Sequence, residues 1–155
     1  MIDLHRILVP TDFSKSSLNA LKYAIAFADK FGAQLFLLHV LRDLALFVPD
    51  MVTVVPPIAP SLEQLTAGVR GALERLVEEH QLRRFNVCTE IREGTAFSEI
   101  IRFAREAEID LIIMATHGHT GLTHMLLGSV TEKVVRKAPC PVLTVRDPEH
   151  EFVHP

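Results

Sequence analysis

Leu111-Ile112-Ile113-Met114-Ala115-Thr116-His117-Gly118, followed after nine residues by Gly128-Ser129-Val130-Thr131-Glu132, is the stretch that decides the fold. Leu111 to Ala115 is an unbroken apolar run of strand length. Such a run suits a strand covered on both faces, as in a parallel sheet. A glycine-bearing loop follows from Thr116 to Gly128, and a helix starts near Ser129. It ends at Ala138, because Pro139 and Pro141 cannot continue it. Gly118 directly follows the strand, where the lack of a Cβ lets backbone approach a phosphate. The first turn of the next helix exposes free N–H groups and the positive end of the dipole. Together they make an anion site. Ser129 and Glu132 fit a capping box, and a cap hydroxyl can also turn to a phosphate. No lysine or arginine lies between Thr116 and Glu132. Neutralising a triphosphate there falls to amides, hydroxyls and a divalent ion such as Mg²⁺, which prefers phosphate oxygens and water.

Working outward, strands and helices alternate. Arg6 to Val9 reads as the first strand, ending at Pro10. Ser16 to Phe31 carries Leu18, Leu21, Ile25 and Ala28 at helical spacing and stops at Gly32. Gln34 to Val40 is a second apolar strand. The segment 42–60, with Pro49, Pro56, Pro57 and Pro60, has no steady period and reads as a long loop. Ser61 to Gln81 is a helix, Asn86 to Arg92 a strand nearer the sheet edge, and Ala96 to Ala107 a helix. Val142 to Val145 is the last strand. Alternation of this kind predicts a parallel sheet with helices on both faces. If the two halves wind in opposite directions from the first strand, a switch point falls between strands one and four. Ligands of open α/β sheets bind there, beyond the strand carboxyl ends. The segments at that point are Pro10-Thr11-Asp12 and Met114-Ala115-Thr116-His117-Gly118.

The chain has 155 residues, 48% hydrophobic and 23% charged, with a formal net charge of −3. That fits one soluble domain and supplies no global field favouring nucleic acid. No apolar run approaches the ~20 residues of a membrane span. The opening residues have no signal-peptide pattern, and Cys88 and Cys140 form no CxxC pair. These features predict a cytoplasmic protein whose thiols are reduced and packed as small hydrophobes.

Several motifs carry a resemblance. Ile7-Leu8-Val9-Pro10-Thr11-Asp12-Phe13-Ser14, Leu37-Leu38-His39-Val40, Met114 to Gly121, Leu127 to Glu132 and Ala138-Pro139-Cys140-Pro141-Val142-Leu143 resemble the universal stress protein family. They do so in order, over about residues 5 to 146. The resemblance implies a three-layer α/β/α fold with a five-stranded parallel sheet of order 3-2-1-4-5, Rossmann-like and of the adenine-nucleotide-binding type. It implies one domain over residues 1–147 and a flexible tail over 148–155. The family's ATP-binding branch carries G-x2-G-x9-G-[ST]. Ala115 replaces the first glycine here, while Gly118, Gly128 and Ser129 match. By resemblance, Asp12 meets the adenosine, and Pro10, Thr11 and Val40 shape the adenine pocket. Met114, Ala115 and Gly118 lie along the ribose and α-phosphate, and Gly128, Ser129, Val130 and Thr131 cradle the outer phosphates. The implied ligand is ATP, with ADP and AMP open, and Mg²⁺ or Mn²⁺ held through phosphates. Family members dimerise through the last strand, here Val142–Val145. The implied role is a nucleotide-dependent stress-response or signalling regulator with an unidentified protein partner.

Other readings are weaker. His117, His119 and His124 lack a Cys, Asp or Glu at ligand spacing, so no metal site is expected. There is no P-loop and no nucleophile elbow. A receiver domain needs an acidic pair after strand one, where Asp12 stands alone. No general base presents itself beyond Asp12 and the loop histidines, so at most very slow ATP hydrolysis is expected. For Asp12 a helix-cap or turn role, and for Val40 plain core packing, are the structural alternatives. A nucleotide-free dimeric interaction protein of the same fold remains the alternative function.

Overall fold

A computed structural model describes residues 2–42, 61–116 and 127–146. The segment 43–60, the segment 117–126 with His117, Gly118, His119 and His124, and the tail 147–155 lie outside the described residues. Five strands, β1 (Arg6–Pro10), β2 (Gln34–Leu41), β3 (Cys88–Glu93), β4 (Leu111–Ala115) and β5 (Val142–Val145), pair in parallel in the order β3-β2-β1-β4-β5. Among the described residues four α-helices connect them: α1 (Lys15–Phe31), α2 (Leu62–Glu79), α3 (Ala96–Glu106) and α4 (Ser129–Lys137).

Strand alternation builds the layers, because successive side chains point to opposite faces. Ile7, Val9, Leu35, Leu37, Leu111 and Ile113 face one core with Ala20, Leu21, Ala24 and Ala28 of α1 and Leu73 and Val77 of α2. Leu8, Leu38, Ile112 and Met114 face the other, with Ile100, Phe103 and Ala104 of α3 and Val134 of α4. Each fully buried Ile or Leu contributes about 1.5–3 kcal/mol. The expected three-layer fold and strand order are therefore observed.

Local chemistry sets the boundaries. Ser14 caps α1, its side chain accepting from the Ser17 amide, and Gly32 ends the helix in the left-handed region at φ 67°. Ser61 caps α2 in a full capping box with Gln64. That helix stops at Glu79 rather than Gln81, because Gln81 sits at φ 53°. A short 3-10 turn over Leu82–Phe85, not expected from the sequence, buries Leu82 and Phe85. Asn86, at φ 49°, then delays β3 to Cys88.

The capping box expected of Ser129 and Glu132 does not form. Gly128 is the N-cap of α4, with no side-chain cap bond, and Ser129 is the first helical residue. The Gly128 amide donates to the Thr116 carbonyl at 2.7 Å, which ties the loop's end one residue earlier than a Ser129 cap requires. Glu132 pairs instead with Arg136 at 2.9 Å.

Candidate functional site

The ladders explain where the sheet opens. β1 pairs with β2 as far as Pro10, opposite Leu38, and β4 pairs with β5 as far as Ala115, opposite Val145. Between β1 and β4, however, the register covers Ile7–Leu111 and Leu8–Ile112. Beyond those pairs the two strand ends part at the switch point. A cavity of about 410 Å³ lies there, within the ~300–1,000 Å³ usual for small-molecule sites.

Its wall contains Pro10, Thr11, Asp12, Val40, Met114, Ala115, Gly128, Ser129, Val130 and Thr131. Every described member of the sequence-predicted set is thus brought together, and Gly118 lies outside the described residues. Leu38, Ile100 and Met114 belong both to the cavity wall and to the core beneath α3 and α4, so the site's floor is the top of that core. Val40 is half-buried, packing on that core while facing the cavity. A second, more open depression of about 460 Å³ lies near the opposite strand ends, around Gln34, Arg84 and Asn86. Among the described residues, no first turn of an α-helix forms part of its wall.

Polar groups converge on the first cavity. Among the first four amides of α4, which have no intrahelical acceptor, that of Gly128, the cap, is engaged by Thr116. Those of Ser129, Val130 and Thr131 remain. Thr131 is 4% exposed, and its hydroxyl donates to the Ala115 carbonyl at 2.9 Å. It pins α4 to the end of β4, so an anion would meet the Thr131 amide rather than its hydroxyl proton. Ala115 keeps its place in the strand with its carbonyl satisfied.

Across the cavity, Asp12 forms a turn rather than capping α1 itself. Its Oδ1 accepts from the Ser14 amide at 3.0 Å, and Thr11 Oγ1 accepts from the Phe13 amide at 3.1 Å. Phe13 between them stands at φ 63°. Bulky residues avoid this region, at a cost of roughly 1–3 kcal/mol.

The model of the universal stress protein family matches residues 4–146. The chain belongs to the universal stress protein family.

It is similar to universal stress protein MJ0531 of Methanocaldococcus jannaschii, 37% identical and covering 94% of this chain and 84% of that protein. Universal stress protein MJ0577 of the same organism is 34% identical, over 91% and 94% of the two chains. The solved structure of MJ0577 superposes with a TM-score of 0.79 at 33% identity, covering 96% of this chain and 99% of that one. Universal stress protein UspA of Lactobacillus plantarum superposes at 0.74 with 27% identity, over 94% and 100%. A universal stress protein solved in complex with cAMP superposes at 0.63 with 22% identity, a likeness of fold alone.

For this universal stress protein, sequence reasoning missed three polar neighbours of the cavity, Ser17, His39 and Arg42. Arg42 follows β2 with no motif around it, and only the parallel register beside β1 brings it to the rim. Ser17 Oγ lies 3.2 Å from Thr11 Oγ1, inside α1. His39 was legible as a motif residue but not as a neighbour of the Asp12 turn.

The two thiols are unpaired and half-buried rather than fully enclosed. Burial pushes both above the ordinary thiol range, with Glu90 reinforcing this at Cys88 and Asp110 at Cys140. Both therefore favour the unreactive thiol form. Among the described residues no His, Cys, Asp or Glu group could hold a metal, and no helix is long and apolar enough to cross a membrane.

Proposed function

We propose that this chain is a cytoplasmic, nucleotide-dependent regulator that binds ATP, with a divalent ion on the phosphates, in the cavity between β1 and β4. The carrying observation is the juxtaposition of three amides at the start of α4 with an apolar wall and the Asp12 carboxylate across one crevice. Backbone amides and a helix dipole suit phosphate oxygens, and the apolar wall suits a base. Pro10, Thr11 and Val40 flank the adenine, and Asp12 meets the adenosine. Met114 and Ala115 run beside the ribose, and Gly128 to Thr131 receive the outer phosphates. Calorimetric titration of nucleotide-stripped protein with ATP and Mg²⁺ tests this. Saturable one-to-one binding supports it; no heat with ATP, ADP or AMP removes it.

The role is binding rather than turnover. Asp12, the one carboxylate on the cavity wall among the described residues, already accepts the Ser14 amide in its turn. ATP hydrolysis is expected well below ~1 per second, where enzymes typically begin. A phosphate-release assay finding faster turnover would overturn that.

The regulator acts as a homodimer with an unidentified protein partner. β5 lies at the sheet edge, with Val142, Leu143 and Thr144 half-exposed, and Val135 on neighbouring α4 is 45% exposed. An unpaired apolar edge needs cover, and a second β5 supplies it through a twofold. Light scattering at micromolar concentration is expected to give twice the chain mass; monomer alone contradicts the pairing.

A further inference from the structure

His39, from the Leu37-Leu38-His39-Val40 run, has no part in the nucleotide reading. Along β2, Leu35 and Leu37 face the α1–α2 core, while Leu38 and Val40 face the α3–α4 side. His39 follows the phase of Leu37. Its side chain therefore leaves the strand on the opposite face from that of Val40, against the β1–α1 turn, at the edge of the cavity that His39 also borders.

Two contacts make that brace. Nδ1 lies 2.8 Å from the Thr11 carbonyl. A carbonyl only accepts, so Nδ1 carries the hydrogen and donates it. The ring also stacks on Phe13, centroids 4.9 Å apart and planes 27° apart. Phe13 is the residue held at φ 63°, in a region that persists for a bulky side chain only when its surroundings over-determine it. The bonds from Phe13 to Thr11 Oγ1 and from Ser14 to Asp12 Oδ1 complete the turn.

We propose that His39 is a positioning residue for the nucleotide site: through the Thr11 carbonyl and the Phe13 ring it fixes where the Asp12 carboxylate stands on the cavity wall. The inference rests on the nucleotide reading above. Binding sites need such supporting contacts to hold their geometry.

The test is a double-mutant cycle on nucleotide-stripped full-length protein, titrated with ATP and Mg²⁺, with melting temperatures in parallel. His39→Phe keeps a ring for Phe13 but loses the donor, and is expected to weaken affinity about tenfold, the scale of one hydrogen bond. His39→Asn places an amide nitrogen where Nδ1 stood and should stay within about threefold of the parent. In an Asp12→Ala background, His39→Phe should change affinity less than about twofold, because the group it positions is gone. Multiplying effects, an unchanged affinity in His39→Phe, or a His39→Asn protein as weak as His39→Phe would each overturn the proposal. If His39→Phe does not fold, His39→Gln replaces it, because its longer side chain moves the donor off the Thr11 carbonyl. A parent that binds no adenine nucleotide defeats the function itself and this role with it. A parent that binds, with no coupling between His39 and Asp12, defeats the positioning role alone.

Discussion

Ser129→Pro is expected to weaken ATP binding by about 10- to 100-fold while leaving the protein folded. Proline belongs at the first helical position, where the lost N–H has no intrahelical acceptor. Ser129 holds that position in α4. A proline also restricts the residue before it to extended backbone, and Gly128 already stands at φ −65°, ψ 153°. The substitution thus costs the helix little and removes one amide and one hydroxyl from the cavity. Hydrogen bonds to a charged group are worth about 1.5–3 kcal/mol each, or roughly 10- to 150-fold in affinity. Melting temperature and calorimetry measured together decide the matter. Unchanged affinity in a stably folded variant would mean that phosphates do not use the start of α4. A collapse in stability would mean that Ser129 has a structural role missing from the account.

Ile112→Ala is expected to destabilise the protein by about 2–5 kcal/mol, the range for large buried aliphatics cut to alanine. Ile112 is 0% exposed and lies at the centre of the sheet, opposite Leu8 of β1 and Val142 of β5. It packs in the core that also holds Leu38, Ile100 and Met114, the floor of the cavity. Whole domains are stable by only about 5–15 kcal/mol, so the loss is a large share. Urea unfolding followed by circular dichroism measures it. A loss below about 1 kcal/mol would show that the floor is not part of the cooperative core.

Much of this was legible in the sequence because periodicity and breakers speak locally. The Leu111–Ala115 run declared a strand covered on both faces, and β4 is buried along its length. Gly32 declared the end of α1, and the Ala138-Pro139 step the end of α4. The switch point followed from chain order, and the cavity there gathers Pro10, Thr11, Asp12, Val40, Met114, Ala115 and the start of α4 from four separate segments. What stayed illegible depends on through-space partners. Ser129-x-x-Glu132 and Ser61-x-x-Gln64 are equally good capping patterns, yet only the second closes. The first is displaced by the Gly128–Thr116 bond, which no local pattern encodes. Thr131 reads as a phosphate ligand until Ala115 takes its hydroxyl proton. The left-handed Phe13 is likewise invisible in sequence, because aromatic residues carry no propensity for that conformation.

The central claim, that an adenine nucleotide sits between β1 and β4 with its phosphates on α4, is tested most directly by amide chemical shifts. Nitrogen-15-labelled, nucleotide-stripped protein is titrated with ATP and Mg²⁺. The largest changes are expected at Ser129, Val130 and Thr131, with Thr11, Asp12 and Val40 moving together at the same saturation. Shifts clustered around Gln34, Arg84 and Asn86 at the opposite strand ends, or none at all, would contradict it.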